Sequence, residues 1–181
     1  MRFHELPIPG AFRVEIERQR DERGFFGRTF SADAFRERDL VTDFVQRSVS
    51  FNIRKGTLRG LHYQAAPHVE TKLVRCTRGA IFDVLVDLRR SSVAFGRWHA
   101  ERISAEDRDM VYIPAGCAHG FQALEDAAEV YYEIAPAYVA ESARGLAFDD
   151  PALAIRWPLP DPILSAADRA RPHLAAAETF A

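Results

Sequence analysis

Between Phe44 and Ile134 the chain presents one short apolar-alternating run after another, each closed by a turn signal. The runs are Phe44–Ser50, the stretch around Leu58–Gln64, Lys72–Cys76, Ala80–Leu88, Trp98–Ile103, Met110–Ile113, Gly120–Leu124 and Glu129–Ile134. Runs this short, recurring every ~8–12 residues, are the pattern of an all-β sandwich or barrel. Ala80–Leu88 is the most strand-like, and its alternation predicts Phe82, Val84 and Val86 inward, with Asp83 and Asp87 on the other face. Phe12–Ile16 reads as an earlier strand, Glu17–Arg23 as a charged turn or loop, and Ser31–Asp39 as a short helix with Ser31 at its N-cap. Beyond Ala135, Pro151, Pro158, Pro160 and Pro162 forbid long elements, and Ser165–Arg169 fits a last helical turn capped by Ser165. The expected fold class is mainly β, a barrel with short peripheral helices.

A chain of 181 residues suits one domain: an N-terminal arm over about 1–50, the barrel over about 51–135 and a C-terminal extension over 136–181. Its net charge of -2 provides no basic field to hold nucleic acid. Cys76 and Cys117 form no spacing motif, which argues against a disulfide framework and against a zinc site. Met1–Pro9 lacks the apolar core of a secretory signal, and no apolar run approaches the ~20 residues of a membrane span. The expected compartment is the cytoplasm.

Two stretches carry chemistry. Gly56-Thr57-Leu58-Arg59-Gly60-Leu61-His62-Tyr63-Gln64 alternates as a strand, with Leu58, Gly60, His62 and Gln64 on one face. Gly60 precedes His62 on that face and leaves open space beside the imidazole, as a proton-transfer site needs. Pro114-Ala115-Gly116-Cys117-Ala118-His119 delivers a second histidine from a turn onto a strand. This P-x-G-x-x-H pattern resembles the second motif of the cupin jelly roll. The first cupin motif would carry another histidine where Gln64 stands, so at most His62 and His119 remain as imidazole ligands. Three protein ligands are the usual minimum for a catalytic metal, and the expectation is a cupin-type jelly-roll barrel that has lost its metal. In such a barrel His62 would abstract a proton beside a carbonyl, and Lys72 would stabilise the enolate oxygen. A tyrosine would supply the acid on the opposite face of the carbon. Tyr131 and Tyr132 are adjacent, so only one can enter the site, and spacing does not choose between them.

Arg23-Gly24-Phe25-Phe26, Leu58-Arg59-Gly60-Leu61-His62-Tyr63-Gln64, Lys72-Leu73-Val74-Arg75, Phe82-Asp83-Val84, Val86-Asp87-Leu88-Arg89, Ile113-Pro114-x-Gly116-x-Ala118-His119-Gly120-Phe121 and Asp150-Pro151-Ala152-Leu153 occur in order over most of the chain. Together they resemble the dTDP-4-dehydrorhamnose 3,5-epimerase family. The resemblance implies a cupin barrel and a homodimer with N-terminal strand exchange. It implies a nucleotide-linked 4-keto-6-deoxyhexose as substrate and no cofactor. By position His62 matches the family's base, Lys72 its enolate-side lysine, Tyr132 its acid and Asp168 the carboxylate that orients the histidine. Arg23, Phe26, Arg59, His119 and Gln46 match substrate-binding positions. Arg28 falls at another such position, where the family usually has Glu. Ala143 stands where a substrate-contacting Glu is common, Ala167 where a Lys is common, Glu133 where a Lys often follows the acid Tyr, and Ala137 at the first of a Tyr pair. The chemistry therefore carries over more safely than the substrate. Arg59 and His62 have opposite strand parity, so both reach one pocket only if the strand breaks, and Gly60 is the expected place. Other readings on the same barrel are a sugar 3,4-ketoisomerase and a non-catalytic nucleotide-sugar-binding cupin.

Overall fold

A computed structural model describes all residues from Met1 to Ala181. In chain order the elements are β1 (Arg2–Glu5), β2 (Phe12–Glu15), β3 (Gln19–Asp21), β4 (Gly24–Phe26), α1 (Ala32–Arg36), β5 (Gln46–Asn52) and β6 (Leu58–Gln64). There follow β7 (Thr71–Arg78), β8 (Ala80–Asp87), β9 (Trp98–Ser104), β10 (Met110–Ile113), β11 (Cys117–Ala123), β12 (Ala128–Ala135), β13 (Ala143–Gly145) and α2 (Ala166–Arg169). Six strands form one sheet in the order β1-β2-β10-β7-β12-β5, and five form another in the order β13-β6-β11-β8-β9. The strands within both sheets pair antiparallel.

Both sheets are apolar on two faces, because three layers of core enclose them. Between the sheets, Val74, Cys76 and Val130 of one pack with Ile81, Leu85 and Phe121 of the other. Outside the six-stranded sheet, α1 and its flanks set Phe35 and Phe44 on Leu73 and Tyr112. Outside the five-stranded sheet, the C-terminal segment lays Leu146, Leu153 and the partly buried Trp157 and Phe180 over Leu61, Val84 and Val86. Each fully buried side chain of this size stabilises by about 1.5–3 kcal/mol, so the terminal segments are fastened by burial.

Several expectations change. Phe82, Val84 and Val86 pack outward beneath the C-terminal segment, while Leu85 faces the opposite sheet; the outer layer makes that face apolar too. Glu17–Arg23 is no plain loop: β3 pairs with β4 across a turn at Glu22 and Arg23, and Gly24, which opens β4, has φ +130°. β1 and β2 join the main sheet through β10, so the first residues are built into the barrel. β11 begins at Cys117, three residues before the expected start at Gly120, and β13 follows a segment read as irregular. Ser31 precedes α1 but its side chain makes no capping bond, whereas Ser165 accepts the Asp168 amide at 3.0 Å as expected.

The break at Gly60 is present. Gly60 has φ +116°, and the β6–β11 register shifts between His119 and Phe121. A Cβ on Gly60 would lie 2.5 Å from Gly120 Cα, and one on Gly120 would lie 2.7 Å from the Arg59 carbonyl oxygen. Two facing glycines thus let β6 and β11 approach where side chains would collide. The irregularity turns Arg59 to the same side as His62.

Candidate active site

At one end of the barrel a cavity of about 350 Å³ opens between the sheets. β6 contributes Arg59 and His62, β7 Lys72, β11 His119 and β12 Tyr132. The β12 register decides between the adjacent tyrosines. Tyr132 lines the cavity, while Tyr131 lies on the outer face with the Arg75 guanidinium 4.8 Å from its ring centroid.

His62 is half-exposed, and its Nε2 lies 2.6 Å from Asp168 Oδ1. A carboxylate only accepts, so Nε2–H donates and Nδ1 keeps the ring's lone pair. Asp168 is buried at the start of α2. Burial alone would raise its carboxyl, but the His62 hydrogen bond and charge, the Ser165 hydroxyl and the Arg171 cation outweigh this and hold it below its usual value. Tyr132 is pushed the other way: burial raises the phenol well above its ordinary value and keeps it an O–H donor. Lys72 is buried, with Nζ 2.5 Å from Glu70 Oε1 and 3.4 Å from the His62 carbonyl oxygen. An ammonium has three protons, so this pairing leaves donor capacity for a substrate oxygen. His119 faces His62 across the β6–β11 pair, and its Nε2 is 2.7 Å from Asp83 Oδ1. Its ring meets Tyr132 edge-on, with centroids 6.0 Å apart. Arg59 donates from Nε to Asn52 Oδ1 at 2.8 Å and from Nη2 to the Phe51 carbonyl at 3.2 Å.

His62, Lys72, Tyr132, Arg59 and His119 therefore share one cavity, with Asp168 behind the imidazole. Gln46 stands at the rim, where its Oε1 accepts the Tyr138 amide at 2.6 Å and holds Tyr138 in the wall. Arg23, Phe26 and Arg28 do not meet the others within the chain. Arg23 is paired to Asp21 at 2.5 Å on the β3–β4 hairpin, Phe26 is 66% exposed, and Arg28 lines a separate depression. Sequence reasoning missed Asp83, Glu70, Tyr138, Arg144 and Arg171. Glu70 carried a signal, since it sits two residues before Lys72 and shares its strand parity. Asp83 carried one too, being out of phase with the outward-packed Phe82 and Val84. Arg144 and Arg171 come from β13 and the C-terminal segment, where the sequence has no periodicity to follow.

Nε2 of His62 and of His119 are each engaged by a carboxylate, and Gln64 binds backbone groups of Val139 and His68. A carboxylate-braced imidazole, a protonated phenol and an ammonium around one cavity equip a cupin-like barrel for proton transfer at carbon. The family model described as dTDP-4-dehydrorhamnose 3,5-epimerase matches residues 5–176, and the chain belongs to that family of isomerases. The dTDP-4-dehydrorhamnose 3,5-epimerase of Pseudomonas aeruginosa is 43% identical over 182 residues, covering 99% of both chains. The crystal structure of the enzyme of that name from Elizabethkingia anophelis superposes with a TM-score of 0.94 at 36% identity, covering 97% of each chain. A 3'-monoepimerase from Streptomyces bikiniensis, in complex with dTDP-quinovose, superposes with a TM-score of 0.87 at 36% identity, covering 95% of this chain and 87% of the other.

Proposed function

We propose that the chain epimerises a nucleoside-diphosphate 4-keto-6-deoxyhexose at C3 and then C5, in deoxysugar biosynthesis. The observation that carries this is the His62–Asp168 pair in one cavity with Tyr132. His62 Nδ1 takes the proton at C3, and the electrons of that bond move to the 4-keto oxygen. Lys72 stabilises the enolate oxygen. Tyr132 then returns a proton to C3 from the opposite face, and His62 and Tyr132 regain their starting states by exchange with water. The same cycle at C5 completes a double epimerisation. Arg59 and His119 hold the substrate at the inner wall.

The chain acts as a homodimer in this reading. Val49, Phe51 and Ile53 are exposed on and beside β5, the edge strand of the six-stranded sheet. A second copy against that edge would bury them and bring Arg23, Phe26 and Arg28 of its hairpin toward the cavity they do not reach within one chain. The two free, buried cysteines suit a reducing compartment, so we place the reaction in the cytoplasm. No helix is long and apolar enough to cross a membrane.

The similarity to a 3'-monoepimerase favours a second reading, in which catalysis stops after C3. Incubation with dTDP-, CDP-, GDP- and UDP-linked 4-keto-6-deoxyhexoses in heavy water separates the two: NMR shows deuterium at C3 and C5 for a double epimerase and at C3 alone otherwise. Uptake must vanish in His62→Ala. Unimpaired uptake in that variant refutes the assignment, and tight binding without uptake by the wild type makes the chain a binding protein.

A further inference from the structure

Six basic side chains line the cavity: Arg59, His62, Lys72, His119, Arg144 and Arg171. Five are engaged within the chain, by Asn52, Asp168, Glu70, Asp83 and Glu178 respectively. Arg171 is the exception: its Nε is buried without a hydrogen-bond partner. Its stem is nonetheless held in place. A Cβ on Gly145 would lie 2.8 Å from Arg171 Nε and 2.9 Å from Cδ, so the side chain crosses bare backbone of β13. Gly145 is the residue paired with His62, which sets the guanidinium beside the reacting end of the cavity. The buried Nε is packed on the β13 backbone, which fixes the stem, while the residue itself lines the cavity, so the outer guanidinium donors are the ones a ligand there can meet. The nearby carboxylates have other partners: Glu70 in the same cavity is paired with Lys72, and Asp168, whose carboxyl the Arg171 cation helps hold low, is bonded to His62.

We propose that Arg171 binds a phosphate oxygen of the substrate's diphosphate. The proposal rests on the nucleotide-sugar reading above. Ala167, where the family resemblance places a Lys, immediately precedes Asp168, and Arg171 follows the C-cap Ala170 in the same short segment. The neutral hydroxyls of a deoxyhexose do not call for a full positive charge, whereas a diphosphate does, and a planar guanidinium can offer it two parallel donors.

The test is calorimetric titration of the full chain with dTDP, inorganic pyrophosphate and thymidine. Arg171→Gln weakens dTDP and pyrophosphate about ten- to hundredfold, the size of one charge-assisted hydrogen bond, and changes thymidine less than about twofold. Arg171→Lys loses less. Adding Ala167→Lys to Arg171→Gln restores about tenfold, which a variant that merely folded badly would not do. In turnover KM rises with the loss of binding, while kcat stays within about threefold, as removal of uniform binding requires. Unchanged dTDP affinity in Arg171→Gln overturns the proposal. So does a loss confined to kcat, which would assign Arg171 to the His62–Asp168 pair, or a loss seen only with sugars bearing a carboxylate. Because dTDP binding needs no turnover, a wild type that binds dTDP through Arg171 but epimerises nothing would sink the functional reading and leave this one standing.

Discussion

His62 and Tyr132 divide the work at one carbon, so their substitutions have different signatures. Tyr132→Phe leaves the imidazole able to remove and return a proton on its own face. Deuterium then still enters C3 while inverted product falls by about 10²–10⁴-fold, read by NMR and by chromatography of the two epimers. Loss of exchange and inversion together would show that Tyr132 also supports the first step. Asp168 links the site to stability. Its carboxyl lies below its ordinary value in the fold, so its stabilisation is complete above about pH 4 and is lost as pH falls through the folded value. Melting temperatures below pH 4 should therefore drop more steeply for the wild type than for Asp168→Asn. At this scale the sequence was informative about side-chain type and poor about partners. His62, Lys72 and Tyr132 were legible from motif and position. Asp83 was assigned to the wrong side because alternation shows which residues share a face and not which face meets the other sheet.

The β6–β11 pair shows what an element adds to its residues. Parity alone separates Arg59 from His62, and only a break brings both into the cavity. Gly60 was readable as that break, since a glycine inside a strand pattern marks a bulge or a close approach, whereas Gly120 was read only as the start of its strand. Gly60→Ala meets both obstacles at once, a φ of +116° and a Cβ 2.5 Å from Gly120 Cα. Urea unfolding should show a loss of about 3 kcal/mol or more, and a variant of wild-type stability would mean that the strands separate at little cost. β13 was not legible. It has three residues, and it is a strand because the β6 edge offers backbone groups from His62 to Gln64. Such a strand is made by its neighbour rather than by its own pattern.

For the whole molecule, the fold class followed from strand spacing, whereas the assignment of Arg23, Phe26 and Arg28 to the site did not follow from one chain. Family position groups them with His62, and the single chain holds them on a separate hairpin. That separation predicts how assembly and activity fail together. Val49→Lys with Phe51→Lys places two charges on the exposed face of β5, and sedimentation should show a monomer with intact far-UV circular dichroism and a raised KM. A monomeric variant with unchanged KM would mean that each chain binds its substrate unaided.

The last stretch of the chain covers the outer face of the five-stranded sheet and sends Asp168 and Arg171 back to the mouth. During synthesis all thirteen strands leave the ribosome before this stretch does. A nascent copy can therefore assemble its barrel while its imidazole still lacks the carboxylate that steadies it. Competence arrives with the segment that carries Asp168, and a product terminated before it would lack the brace on its base.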